Sequence, residues 1–94
     1  MSEITGTSRP RLRRGVRLSY DKVRETHVLL FPEGVLVPNP TAAAVLEHCD
    51  GVNDVDAVVK LLSERYQGVS VADVAGLLAA LIERRIVELA VADV

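Results

Sequence analysis

Residues 29–51, LLFPEGVLVPNPTAAAVLEHCDG, join two short apolar runs at Pro32-Glu33-Gly34 and pass almost at once into a helical pattern. Pro32 presets φ for the first turn position and Gly34 tolerates positive φ, so the join reads as a tight turn. Val35–Val37 is then a very short strand, closed by Pro38. Asn39-Pro40 supplies an N-cap and a proline at the first helical position. Ala42, Val45, Leu46 and Cys49 follow i, i+3, i+4, i+7 spacing, and Gly51 is the stop. Nothing in the stretch is a nucleophile, a metal cage or a phosphate cradle. The question it poses is why an apolar strand stands so openly beside a helix start.

Working upstream, Thr26–Phe31 (THVLLF) is apolar on both faces and reads as a central strand. Before it, Val16, Leu18 and Tyr20 alternate with Arg17 and Ser19, the period of a half-buried strand. Residues 1–14 mix Ser, Thr, Gly, Pro and Arg with little periodicity and read as a flexible basic arm. Downstream, Asp54 caps a second helix that buries Val55, Val58, Leu61, Leu62 and Tyr66 and ends at Gly68. Ser70-Val71-Ala72-Asp73 is a capping box that starts a third helix to about Arg85. IVEL (Ile86–Leu89) can form a short last strand. The predicted fold is α+β and winged helix-turn-helix-like: a three-stranded antiparallel sheet followed by three helices. It occupies residues 15–90, with a tail at 91–94.

Composition bounds the function. The chain has 94 residues, enough for one domain with a modest core. It is 49% hydrophobic yet has one Phe, two Tyr and no Trp, a poor set for stacking bases. The single cysteine, Cys49, excludes an internal disulfide and fits a reducing cytoplasm. There is no apolar h-region and no run approaching the ~20 residues of a membrane span, so a soluble cytoplasmic protein without a membrane partner is expected. Charge is split: residues 1–24 carry seven bases and two acids, residues 25–94 four bases and eleven acids. A basic segment can attract nucleic acid or an acidic partner, or simply be a solvated tail.

A winged helix raises the question of DNA binding, and the third helix argues against it. A recognition helix must offer Arg, Lys, Asn, Gln or Ser to base edges. Between Val71 and Ile82 the only charged residue is Asp73, which phosphate repels. Catalysis is equally poorly supplied. His48 and Cys49 are adjacent and point about 100° apart on a helix, so they cannot pair by themselves. Cys49 stands at a core-facing position. One Cys and two distant His, His27 and His48, fall short of a metal ligand set. No catalytic residue, metal or cofactor is expected.

The third helix carries an oddity. Val71, Val74, Leu77, Leu78, Leu81 and Ile82 make a broad core face, and Ala72, Ala75, Gly76, Ala79 and Ala80 a stripe of small residues. Such a stripe suits either helix propensity at a solvent face or the close approach of another backbone. Gly76 is unfavourable for the first, since glycine costs about 1 kcal/mol relative to alanine. Together with Val35–Val37, an uncharged edge strand that invites pairing with another chain, it suggests that a peptide completes the sheet. The candidate peptide-binding residues are Val35, Leu36, Val37, Val74, Ala75, Leu78 and Ala79.

The spaced set Gly15-Val16, Leu30, Pro32-Glu33, Asn39, Ala42, Leu46, Asp50-Gly51, Asp73-Val74 and Leu81, spread from Arg9 to Leu89, resembles the PqqD family. These are small peptide chaperones of pyrroloquinoline quinone biosynthesis. The resemblance implies a non-catalytic protein that binds the leader of the precursor peptide PqqA. It would present that peptide to the radical S-adenosylmethionine enzyme PqqE, which cross-links a Glu and a Tyr of it. It also implies that the leader lies as an added strand along the third strand, against the third helix. This chain departs from the family in Pro38, where Leu is common, and in Arg85, where a Gly is common at the helix end. Two alternatives stay open: a recognition domain for a different ribosomally made modified peptide, and a nucleic-acid-binding winged helix using the basic segment.

Overall fold

The computed structural model describes residues 4–90. Among them run β1 (Arg9–Leu12), β2 (Arg17–Asp21), β3 (Thr26–Phe31), β4 (Gly34–Leu36), α1 (Pro40–Glu47), α2 (Val55–Ser63), α3 (Val71–Glu83) and β5 (Val87–Ala90). The three-stranded antiparallel sheet is present, in the order β2-β3-β4. Central β3 is the strand that is apolar on both faces. A second, two-stranded sheet pairs β1 with β5, so the expected last strand is present but shifted by one residue, from Ile86–Leu89 to Val87–Ala90.

That second sheet corrects the reading of the N-terminus as an arm. Arg9 and Arg11 face solvent while Pro10 is fully buried and Leu12 half-buried. The segment before β1 is also tied down: Val55 N–H donates to Ser8 O and Asp56 N–H to Gly6 O, both at 2.9 Å. These bonds satisfy backbone donors at the start of α2, which no helical carbonyl can reach. Gly6 packs so tightly that a Cβ there would overlap the Asp56 carboxyl group. Residues 1–3 of the expected arm, and the expected tail at 91–94, lie outside the described residues.

Each helix begins at the cap its sequence announces. Asn39 Oδ1 accepts from Ala42 N–H at 2.8 Å, Asp54 Oδ1 from Ala57 N–H at 2.8 Å, and Ser70 Oγ from Asp73 N–H at 3.1 Å. Between α1 and α2, Asp50 Oδ1 accepts from Val52 and Asn53 N–H, both at 2.9 Å. Those donors, with the nearby His48, hold the Asp50 carboxyl below the usual carboxylate range. The core joins Leu29 of β3 to Val45 and Leu46 of α1, Val55, Val58 and Leu62 of α2, and Val74, Leu78 and Leu81 of α3. Ile86, just before the last strand, and Val87 within it close the core. None of the described polar or charged residues is buried.

Candidate functional site

β4 has one neighbour, β3, so its other edge has no strand beside it among the described residues. The hairpin pairs Phe31 with Gly34, Leu30 with Val35 and Leu29 with Leu36. This register corrects the expected strand by one residue. The turn is only Pro32-Glu33, so pairing already begins at Gly34. It ends at Leu36 because the buried Pro38 has no N–H to donate. Val37 thus lies just past the ladder. Val35 and Val37 are 65% and 51% exposed, whereas Leu36 turns inward and packs on the core.

The predicted helix residues divide into two groups. Val74 and Leu78 are buried core, with no side-chain surface to offer along most of their length. Ala79 is exposed and Ala75 half-exposed, and Ala72, Gly76 and Ala80 beside them are exposed too. The small-residue stripe therefore does face outward, while two of the named binding residues support it from beneath. Among the described atoms nothing lies within 4 Å of where a Gly76 Cβ would stand. The glycine is thus not required by packing inside the chain.

A cavity of about 410 Å³ opens between the start of α1, the end of α2 and α3. Asn39, Ala42 and Val45 of the α1 end, Leu62 of α2, and Val74 and Leu77 of α3 line it. Sequence reasoning placed Val74 in the site but missed the α1 wall, Leu77 and Tyr66. The only available signal was that α1 buries Ala42, Ala43 and Ala44 in succession, leaving little side-chain bulk between the helices. A smaller cavity of about 210 Å³ lies on the other side of Tyr66, lined by Tyr20, His27, Pro38, Glu47 and Arg65 as well. There His27 Nε2 lies 3.1 Å from Glu47 Oε1 and its ring stands edge-on to Tyr20 at 5.1 Å. His27 is thus a link between the sheet and α1. Cys49 donates to Val45 O at 3.3 Å and is buried. Burial, and secondly the Asp50 charge, push its thiol up to about 12, so it is neither a thiolate nucleophile nor a ready metal ligand at neutral pH.

Among the described residues no three His, Cys, Asp or Glu side chains gather as a metal site, and no helix is long and apolar enough to cross a membrane. What the arrangement offers is geometric: free strand hydrogen-bonding groups, an uncharged edge, a helix with small outward residues, and a largely apolar cavity walled in part by another side of that helix. This is the equipment of strand addition, in which main-chain bonds supply affinity and pockets take alternate side chains.

Residues 26–87 match the family model of coenzyme PQQ synthesis protein D, PqqD. The PqqA binding protein of Stutzerimonas stutzeri is 41% identical over 92 residues, covering 95% of this chain and 99% of its own. That of Klebsiella pneumoniae strain 342 is 48% identical over 60 residues, 64% of this chain, and the match spans 65% of its length. The solution structure of the PqqD truncation of Methylobacterium extorquens PqqCD, described as a functional and stand-alone recognition element for ribosomally synthesized and modified peptides, superposes with a TM-score of 0.75. It is 40% identical, and the superposition covers 90% of this chain and 94% of that one. With the family model spanning well over half of its residues, this chain belongs to the PqqD family.

Proposed function

We propose that this protein is a non-catalytic peptide chaperone that binds the precursor peptide PqqA and presents it to the radical S-adenosylmethionine enzyme PqqE. The leader docks as a strand on the free edge of β4. Its inward side chains reach the cavity between the α1 start and α3, and its backbone passes the Ala75–Ala79 stripe. One observation carries this: an edge strand without a charged side chain has no strand on one side among the described residues, in a chain whose relatives are named PqqA binding proteins. β4 is only three residues long, so the cavity and the helix stripe must supply much of the affinity.

An amide chemical-shift titration of the labelled protein with PqqA tests this. Gly34–Val37 and the cavity-lining Ala42, Leu62 and Leu77 should shift together. Shifts concentrated on Arg9–Arg17 and weakening steeply with salt would instead assign binding to the basic segment, as phosphate contacts would.

A further inference from the structure

The β2-β3-β4 sheet has a second face, turned away from the core. The strand registers place Arg17, Leu30 and Val35 in one row across it. Ser19 and Val28 form the next row, and the two-residue strand period brings Val37 to that level of β4. Leu30, Val35 and Val37 are 37%, 65% and 51% exposed. Scattered exposed valines need no explanation, and Val23 in the β2–β3 turn, 93% exposed, is one. Leu30, Val35 and Val37 differ because the register makes them neighbours, and because they end at the free edge of β4.

We infer that the docked peptide strand is apolar on both faces: besides the side chains it sends inward, it carries β-branched or aromatic residues outward, seated beside Val35 and Val37. This inference rests on the edge-docking reading. A strand added to β4 sets its outward residue directly opposite Val35, with Cβ atoms about 4.5–5.5 Å apart, and the residue two positions along reaches Val37. Leu30 widens the platform from behind. The cation that the registers place in this row, Arg17, stands three strands from a carboxylate at the place opposite Val35, about 14 Å. A polar residue would leave the valines half wet. The outward face therefore selects peptide sequence rather than merely tolerating it.

The test uses full-length protein and PqqA. Val35→Thr and Val37→Thr keep shape and β-branching but place a hydroxyl in the patch, and Val35→Ile enlarges it. Val23→Thr is the control. Each Thr variant in the patch should weaken binding on the order of threefold, as loss of one cross-strand apolar pair does. Val35→Ile should bind as tightly as the parent or tighter, and Val23→Thr should bind like the parent. If both patch variants bind like the parent while the Gly34–Val37 amides still shift, edge docking stands and the inference is overturned. If those amides do not shift in the parent, the docking reading fails and this inference with it. A peptide-free dimer whose β4 amides are protected would assign the patch to a second copy of the chain and also overturn it.

Discussion

The backbone N–H of Gly51 donates to Pro10 O at 2.9 Å, fastening the α1–α2 turn to a strand forty residues upstream. Gly51 has φ +79°, and a Cβ added there would already touch the Arg11 side chain. The contact makes β1 part of the load that the helices carry, alongside its ladder to β5 and the Arg13 N–H bond to Ile86 O.

Deleting residues 1–12 is therefore expected to cost several kcal/mol. The segment buries Pro10 and half-buries Leu12, a leucine being worth about 1.5–3 kcal/mol when fully buried, and its loss leaves the N–H groups of Gly51, Val55 and Asp56 without partners. A 94-residue domain has only on the order of 5–14 kcal/mol to lose. Thermal melting of the truncated chain should show a fall of ten degrees or more, or no cooperative transition. A melting temperature within two degrees of the parent would show β1 to be dispensable.

The C-terminal end of α3 offers a gain instead. Arg85 N–H donates to Ile82 O and Ile86 N–H to Leu81 O, both at 2.9 Å, with Arg85 at φ +63°. This is the Schellman arrangement, whose left-handed residue is usually glycine. Arg85→Gly should raise stability by about 0.5–1 kcal/mol, because the left-handed strain of a Cβ outweighs the extra freedom of glycine in the unfolded chain. Urea unfolding reads this directly; a lower midpoint for the variant would mean that the arginine side chain holds something the backbone argument omits.

How far the sequence reveals this fold depends on the range of the interaction. The caps at Asn39, Asp54 and Ser70 and the Arg85 position are local, and residue types alone place them. β1 is not local. Its partner β5 is over seventy residues away, and Pro10 reads as a breaker although Arg9-Pro10-Arg11-Leu12 does alternate outward and inward. The same limit applies to the site. An edge strand can be read from VLV flanked by proline, but which side chains of α3 are spent on the core depends on what packs below. Of the expected binding residues, Leu78 is buried in the core and Val74 is buried yet still lines the cavity, whose α1 wall the sequence pattern does not announce. The His27–Glu47 link joins two elements whose mutual placement only the fold supplies.

Cys49 sets an alkaline limit on stability. Its thiol, ordinarily at 9.0, rises to about 12 in the folded chain through burial and then through Asp50. Above pH 9 the unfolded chain ionises this thiol and the folded chain does not, so unfolding releases a proton and stability falls as pH rises toward 12. The slope approaches about 1.4 kcal/mol per pH unit. Cys49→Ala leaves a small cavity and should be the less stable protein at pH 7, but it lacks this slope. The stability gap between parent and variant should therefore narrow from pH 8.5 to 11. A constant gap would mean that the thiol is free to ionise in place.

Gly76 separates stability from binding. It lies inside α3 with ordinary helical φ, is exposed, and has open space where a Cβ would stand. Gly76→Ala should thus stabilise the free protein by up to about 1 kcal/mol, the propensity difference between the two residues. If the leader backbone passes close over this stripe, the added methyl group obstructs it, and affinity for PqqA should drop severalfold while the melting temperature rises. Ala79→Arg enlarges the obstruction from the same exposed stripe. Arginine is nearly as good a helix former as alanine, so the fold should change by no more than about 0.5 kcal/mol. Binding should weaken on the order of tenfold, about 1.4 kcal/mol. Opposite movements of stability and affinity at Gly76 cannot arise from damage to the fold, which would lower both. If Gly76→Ala is stabilised and both variants bind PqqA like the parent, the small residues of α3 serve helix formation alone, and the peptide does not cross this face.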